Sequence, residues 1–290
     1  MLSKILTLIF ALNLLIFETI CVEKFDDDLL ISSNNLNDLL KRDDFDKNYR
    51  IIETNFGPDG EKDFKDGHIP RAIYVDATFN STSTQYIKYT IPNAKALGDY
   101  LGSLGISDHH RLIIYDRSDY GFSASSRLWY LLELFGNETV TILNGGLNDW
   151  KANQFSLTTE SSTYREQLYE AIFQPKLLRL YEEVVEVIKT GEEVLVDARD
   201  RPVYDQDHIP TALNVPYSEI FDQKTGLLKS KEILLEMVLS QGIDLKRTLV
   251  TYCQTGVRAS SLKFVLNLLG ARLVAVYNGS WFEYSQRSKL

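Results

Sequence analysis

The sequence predicts an α/β protein made of two tandem copies of one fold, each a mostly parallel sheet flanked by helices. Two observations carry this. Short apolar runs of strand length alternate with segments of helical periodicity, the pattern of a parallel sheet with crossover helices. The same ordered set of short motifs also occurs twice, at nearly constant offset. A chain of 290 residues has room for two domains of ordinary size.

In chain order, residues 29–31 (Leu-Leu-Ile) read as a short strand, and Ser33 or Asn34 as the cap of a helix running to Leu40. Ile51, Ile52 and Glu53 form a strand, and a loop then leads to His68-Ile69-Pro70 and a strand over 72–75. A helix is expected over 93–104 and a strand over 112–115, ending at Asp116. A helix over 123–135, a strand over 140–143 and the turn Asn144-Gly145-Gly146 complete the first copy. Residues 153–163 are rich in Ser and Thr without apolar period, the start of a linker. A helix over 176–189 follows, with Gly191 as its C-terminal cap. The expected division is therefore a first domain over 29–152, a linker over 153–175 and a second domain over 176–285.

The second copy answers the first motif by motif. Val194 to Asp197 answers Ile51 to Glu53, and His208-Ile209-Pro210 answers His68-Ile69-Pro70. Gly242-Ile243-Asp244 answers Gly105-Ile106-Ser107, and Ala259-Ser260-Ser261 answers Ala124-Ser125-Ser126. Tyr277-Asn278-Gly279 answers Leu143-Asn144-Gly145. The strand ending Tyr252-Cys253 answers the one ending Tyr115-Asp116, so only the second copy holds the cysteine and the first is expected to be catalytically silent.

Cys253 stands at the carboxyl end of the apolar run 249–252, in a short loop opening onto a helix over 259–269 closed by Gly270. Ligands of open α/β sheets bind at such places. The helix N-terminus carries partial positive charge, and backbone N–H groups can face inward there. Both favour the thiolate, so the N–H groups of Gln254, Thr255, Gly256, Val257 and Arg258 form a cradle for an anionic sulfur nucleophile. Gly256 lets the loop curl.

The formal net charge of −9, with no basic stripe or arginine-rich arm, argues against nucleic acid as a partner. Two cysteines, Cys21 and Cys253, cannot frame a disulfide-rich domain, and no Cys/His spacing suits a zinc site. No metal or organic cofactor is called for. The N-terminal segment has one lysine, Lys4, before a largely apolar stretch over 5–17, which fits a signal-peptide core better than a bilayer span. Residues 1–21 are thus an expected signal peptide, giving a secretory location and no stable membrane association after cleavage. Asn80-Ser81-Thr82 and Asn137-Glu138-Thr139 fit the glycosylation pattern usable on that route. The terminal Ser288-Lys289-Leu290 is the competing peroxisomal address.

The markers Gly67-His68-Ile69-Pro70 with Ala72, Asp119-Tyr120-Gly121, Asn144-Gly145-Gly146, Asp197-Ala198-Arg199, Cys253-x-x-Gly256-Val257 and Tyr277-Asn278-Gly279-Ser280-Trp281, in this order, resemble the tandem rhodanese family of thiosulfate and 3-mercaptopyruvate sulfurtransferases. The resemblance implies that Cys253 takes sulfur from a small anionic donor as a persulfide and passes it to a thiol or cyanide acceptor. It implies that Arg199 helps bind the donor and that the silent copy, with His68 and Tyr120, walls one side of the cleft. The sequence departs from the family at Arg258, where Thr is usual, and at Asn278, where Asp is usual. Neutral Gln254 and the hydroxyl of Thr255 lean toward 3-mercaptopyruvate.

Residue by residue, alternatives stay open. Arg258 points inward at the anion or outward to an acid, Arg199 makes a surface salt bridge, and His68 is a structural hydrogen-bonder. For the whole chain, the competing readings are a non-enzymatic binding protein on this scaffold and a cysteine phosphatase. Four residues rather than five separate Cys253 from Arg258, which disfavours the phosphatase.

Overall fold

The computed structural model describes residues 29–117 and 121–289. The expected signal peptide with Cys21, the pair Asp119-Tyr120 and the final Leu290 lie outside the described residues.

The first copy holds strands β1 (Leu30–Ile31), β2 (Tyr49–Asn55), β3 (Ala72–Asp76), β4 (Arg111–Tyr115) and β5 (Val140–Leu143). Its helices are α1 (Ser33–Leu39), α2 (Phe45–Asn48), α3 (Pro58–Asp66), α4 (Ala94–Ser103), α5 (Ser123–Leu134) and α6 (Gly146–Ala152). The second copy holds β6 (Leu178–Arg179), β7 (Val194–Asp197), β8 (Leu213–Asn214), β9 (Thr248–Tyr252) and β10 (Leu273–Tyr277). Its helices are α7 (Tyr181–Thr190), α8 (Arg201–Gln206), α9 (Lys231–Ser240), α10 (Val257–Leu268) and α11 (Ser280–Arg287).

The two five-stranded sheets have the orders β1-β5-β4-β2-β3 and β6-β10-β9-β7-β8, the same order once the numbering is shifted. All their pairings are parallel. The central strands β4 and β9 are buried from their second residue onward, as runs covered by helices on both faces must be. Local chemistry sets several ends. The Oδ1 of Asn93 accepts the N–H of Ala96 at 2.8 Å and caps α4, and the Oγ of Ser32 accepts that of Asn35 and caps α1.

Two expectations change. The segment between β2 and His68, expected as a loop, contains α3; it is polar nearly all round, so the apolar period that marks a helix is missing. The helix expected over 176–189 begins at Tyr181. Residues 175–177 form a single 3-10 turn and β6 adds an edge strand, because Leu178 pairs with Val276 of β10. The linker is packed rather than free. Thr158 pairs with His68 in an isolated antiparallel bridge, and Tyr169 is buried in the core.

The copies meet along α5 and α10. Ser126 and Ser261, matched positions, share a hydrogen bond of 2.6 Å, and the matched rings of Trp129 and Phe264 meet edge to face at 5.0 Å. Like atoms meeting like atoms place a pseudo-twofold axis between these helices. Both helices are buried almost all round, so the interface is continuous with the core.

Candidate active site

Cys253 lies directly after β9, buried at 2% relative exposure. Its N–H donates to the Oγ of Ser280 at 3.2 Å, and its carbonyl accepts the N–H of Trp281 at 3.0 Å. The carbonyl of Gln254 accepts the N–H of Phe282 at 3.0 Å. The cysteine loop is therefore stitched to the first turn of α11. Its Sγ accepts the N–H of Gly256 at 3.2 Å, at the mouth of α10. A thiolate or persulfide here meets a backbone donor and the positive end of a twelve-residue helix. Gly256 itself sits at φ +90°, and a Cβ there would come 2.6 Å from the carbonyl oxygen of Asn278.

The first copy fills the same place with an anion of its own. One carboxylate oxygen of Asp116 accepts the N–H groups of Ala124 at 3.1 Å and Ser125 at 2.8 Å, and the Ser125 hydroxyl at 3.1 Å. The helix terminus that faces a thiol in the second copy is here capped by a fixed carboxylate.

The other sequence-nominated residues divide. Gln254 is exposed and Thr255 half-buried on the loop, while half-buried Val257 and exposed Arg258 already belong to α10, which starts two residues before the expected 259. Arg258 turns outward: it lies 3.5 Å from Asp200 and stands over the Tyr217 ring at 5.1 Å. Arg199 is buried, with its Nε and Nη2 donating to the Asp197 carboxylate at 2.9 and 2.7 Å. Nη2 also donates to the Asp207 carbonyl, and the guanidinium packs over the Trp281 ring. It is neither a surface ion pair nor a free cation, so the structure ties it into the wall.

His68 is buried with its ring nitrogens 2.8 Å from the Phe64 carbonyl and 3.2 Å from that of Glu160. Its ring stacks on Phe64, and His208 stacks on Tyr204 in the same manner. These histidines brace each copy's own motif, as the N–H of Ile69 does on the Tyr115 hydroxyl and that of Ile209 on Tyr252. The structure does not bring His68 to the cysteine loop.

The residue that sequence reasoning missed is Arg127. It projects from α5 of the first copy, is 1% exposed, and its Nη1 donates to the Oδ1 of Asn278 at 2.9 Å. Asn278 in turn donates from Nδ2 to the Tyr89 carbonyl at 2.8 Å. Burial pushes the Arg127 guanidinium below its usual range, and its neighbours Tyr130, Cys253 and Tyr89 partly oppose that. One signal was available: an arginine in a helix otherwise apolar on this side, matched by Leu262 in the other copy. Among the described residues no group of three or more His, Cys, Asp or Glu side chains could hold a metal. No described helix is long and apolar enough to cross a membrane.

Comparison with known proteins bears on the fold and the family. The model of the rhodanese-like domain matches residues 35–153 and again 180–287. A thiosulfate sulfurtransferase of Mus musculus is 29% identical over 275 residues, covering 89% of this chain and 92% of that protein. A 3-mercaptopyruvate sulfurtransferase of Mus musculus is 30% identical over 244 residues, covering 80% and 82%. Among solved structures, SseA of Escherichia coli, a 3-mercaptopyruvate sulfotransferase, superposes with a TM-score of 0.75 at 25% identity, over 87% of this chain and 98% of that one. An anaerobic ergothioneine biosynthesis enzyme of Chlorobium limicola shares the fold at a TM-score of 0.78 and 21% identity, over 89% of this chain and 68% of its own. Two family matches, each over four of the five strands of one parallel sheet, establish that the chain belongs to the rhodanese family, with two rhodanese-like domains in tandem.

Proposed function

We propose that this chain is a sulfurtransferase that carries sulfur on Cys253. The thiolate attacks the outer sulfur of an anionic donor. Thiosulfate would leave as sulfite, and 3-mercaptopyruvate would leave as the pyruvate enolate, which takes a proton from water. Cys253 is then a persulfide, and cyanide or a thiol removes its outer sulfur and regenerates the thiolate. The observation that carries this reading is the Gly256 N–H held 3.2 Å from Sγ at a helix N-terminus, a donor placed for an anionic sulfur.

The loop favours 3-mercaptopyruvate over thiosulfate. Gln254 and Thr255 are neutral, and Arg258, in the first turn of α10, is turned to Asp200. That same turn disfavours phosphatase chemistry, where the arginine must close over the phosphate. Purified protein mixed with either donor should gain about one sulfur in intact mass. Cys253→Ser should gain none, and the donor that loads faster names the substrate. No gain with either donor would reject the enzyme in favour of a binding protein on this scaffold.

A further inference from the structure

We propose that Arg127, supplied by the first domain, is the buried counter-charge of the Cys253 sulfur, and that neutral Asn278 leaves its positive charge free for that role. The inference rests on the sulfur-carrying role of Cys253 and adds a residue from the opposite domain to it. Arg127 is 1% exposed, yet its one side-chain partner, Asn278 Oδ1 at 2.9 Å, is uncharged. Its Nε is buried with no acceptor. Among the described residues no carboxylate pairs with it. A buried guanidinium without an anion is disfavoured unless another negative group faces it.

The other described charges around the cysteine loop are already matched. Asp197 holds Arg199 at 2.7 Å, and Asp200 lies 3.5 Å from Arg258. On α11, Glu283 holds Arg287 at 2.8 Å and also faces Tyr277. Across the domain boundary, Asp116 is taken by the N-terminus of α5 and faces Tyr217. Tyr89 and Tyr130 are the remaining titratable groups beside Arg127, and the ring of Tyr130 lies 5.8 Å from the guanidinium carbon. Among the described residues, the ionised form of Cys253 is therefore the unmatched anion that acts on this cation. Asn278 links the two physically, since its carbonyl closes over Gly256 while its side chain holds Arg127.

The test is the pH dependence of iodoacetamide alkylation at Cys253, located by peptide mass and run without any sulfur donor. It is thus independent of whether the chain transfers sulfur. Arg127→Gln should move the midpoint upward by about one pH unit or more, while Arg127→Lys, which keeps the charge, should stay near the parent. Should Arg127→Gln fail to fold, Asn278→Asp gives the guanidinium a carboxylate in place and should move the midpoint upward in a folded chain. A profile for folded Arg127→Gln that superimposes on the parent would overturn the proposal, as would an unmoved Asn278→Asp where Arg127→Gln does not fold.

Discussion

Gly256 concentrates the demands of the site in one residue. Its φ of +90° suits glycine, its N–H holds the sulfur, and its missing Cβ leaves room for the Asn278 carbonyl. Gly256→Ala should therefore cost about 2–3 kcal/mol, joining positive-φ strain to a backbone clash that no side chain can relieve. Sulfur loading should slow roughly tenfold or more, because the donor N–H moves with the loop. Gly242, at φ +77° with nothing within 4 Å, is the control: Gly242→Ala should cost only about 1 kcal/mol and leave loading unchanged. Equal melting losses for the two variants would show that the Asn278 contact does not matter. The positions of Cys253 and Gly256, at a strand end and a helix mouth, are readable from sequence because they are set locally. The roles of Arg127 and Ser280 are not, because each is defined by a partner distant in the chain: Asn278 for Arg127, and Cys253 for Ser280. Arg258 left two directions open in the sequence, and Asp200, which arrives from the loop after β7, decides between them.

At the scale of elements, the central strands and the helices α1, α4, α5, α7 and α10 follow from apolar period and caps, whereas α9 and the short β8 are absent from that reading. What else escaped is what tertiary pairing creates: the two-residue edge strand β6, which exists only against β10, and the largely polar α3. The connection from α4 to β4 holds a pH-sensitive brace. His110 Nδ1 accepts the N–H of Ser107 at 2.9 Å, so that nitrogen carries no proton. Burial first, then the nearby Arg50 and His109, push the His110 pKa down to about 4. The unfolded chain takes up this proton near the ordinary histidine value of about 6.5. The folded chain resists until about pH 4, so the contribution is whole above about 6.5 and is lost as pH falls toward 4. His110→Asn keeps an acceptor for Ser107 but cannot titrate. Its melting temperature should fall less than the parent's between pH 6.5 and 4. Parallel curves for the two proteins would assign the acid loss elsewhere.

At the scale of the molecule, the two copies put different groups at matched helix termini, a carboxylate in one and a thiol in the other. The first copy closes its helix terminus around Asp116, and the same helix, α5, carries Arg127 to Asn278 of the second copy. The axis through Ser126 and Ser261 fixes the approach of α5 to α10. Farther along these helices, Lys263 fixes it again. Its ammonium is buried, donates to the Val274 carbonyl at 2.8 Å and pairs with Glu133 of the first copy at 3.0 Å. Burial lowers the Lys263 pKa, and Glu133 works against that shift. A cavity of about 380 Å³ beside this pair, walled also by Lys176 and Arg272, leaves the Glu133 carboxylate partly open to water. Lys263→Met should therefore cost about 2–3 kcal/mol in urea unfolding, below the usual penalty for a fully buried pair, because Glu133 keeps some hydration. Adding Glu133→Gln should recover more than half of that loss, since the stranded charge and not the missing ammonium is the main cost. A double variant no more stable than Lys263→Met alone would instead place the loss in the unsatisfied Val274 carbonyl. Because α5 and α10 share one apolar core, the parent and both variants should unfold in a single transition, the two domains losing structure together.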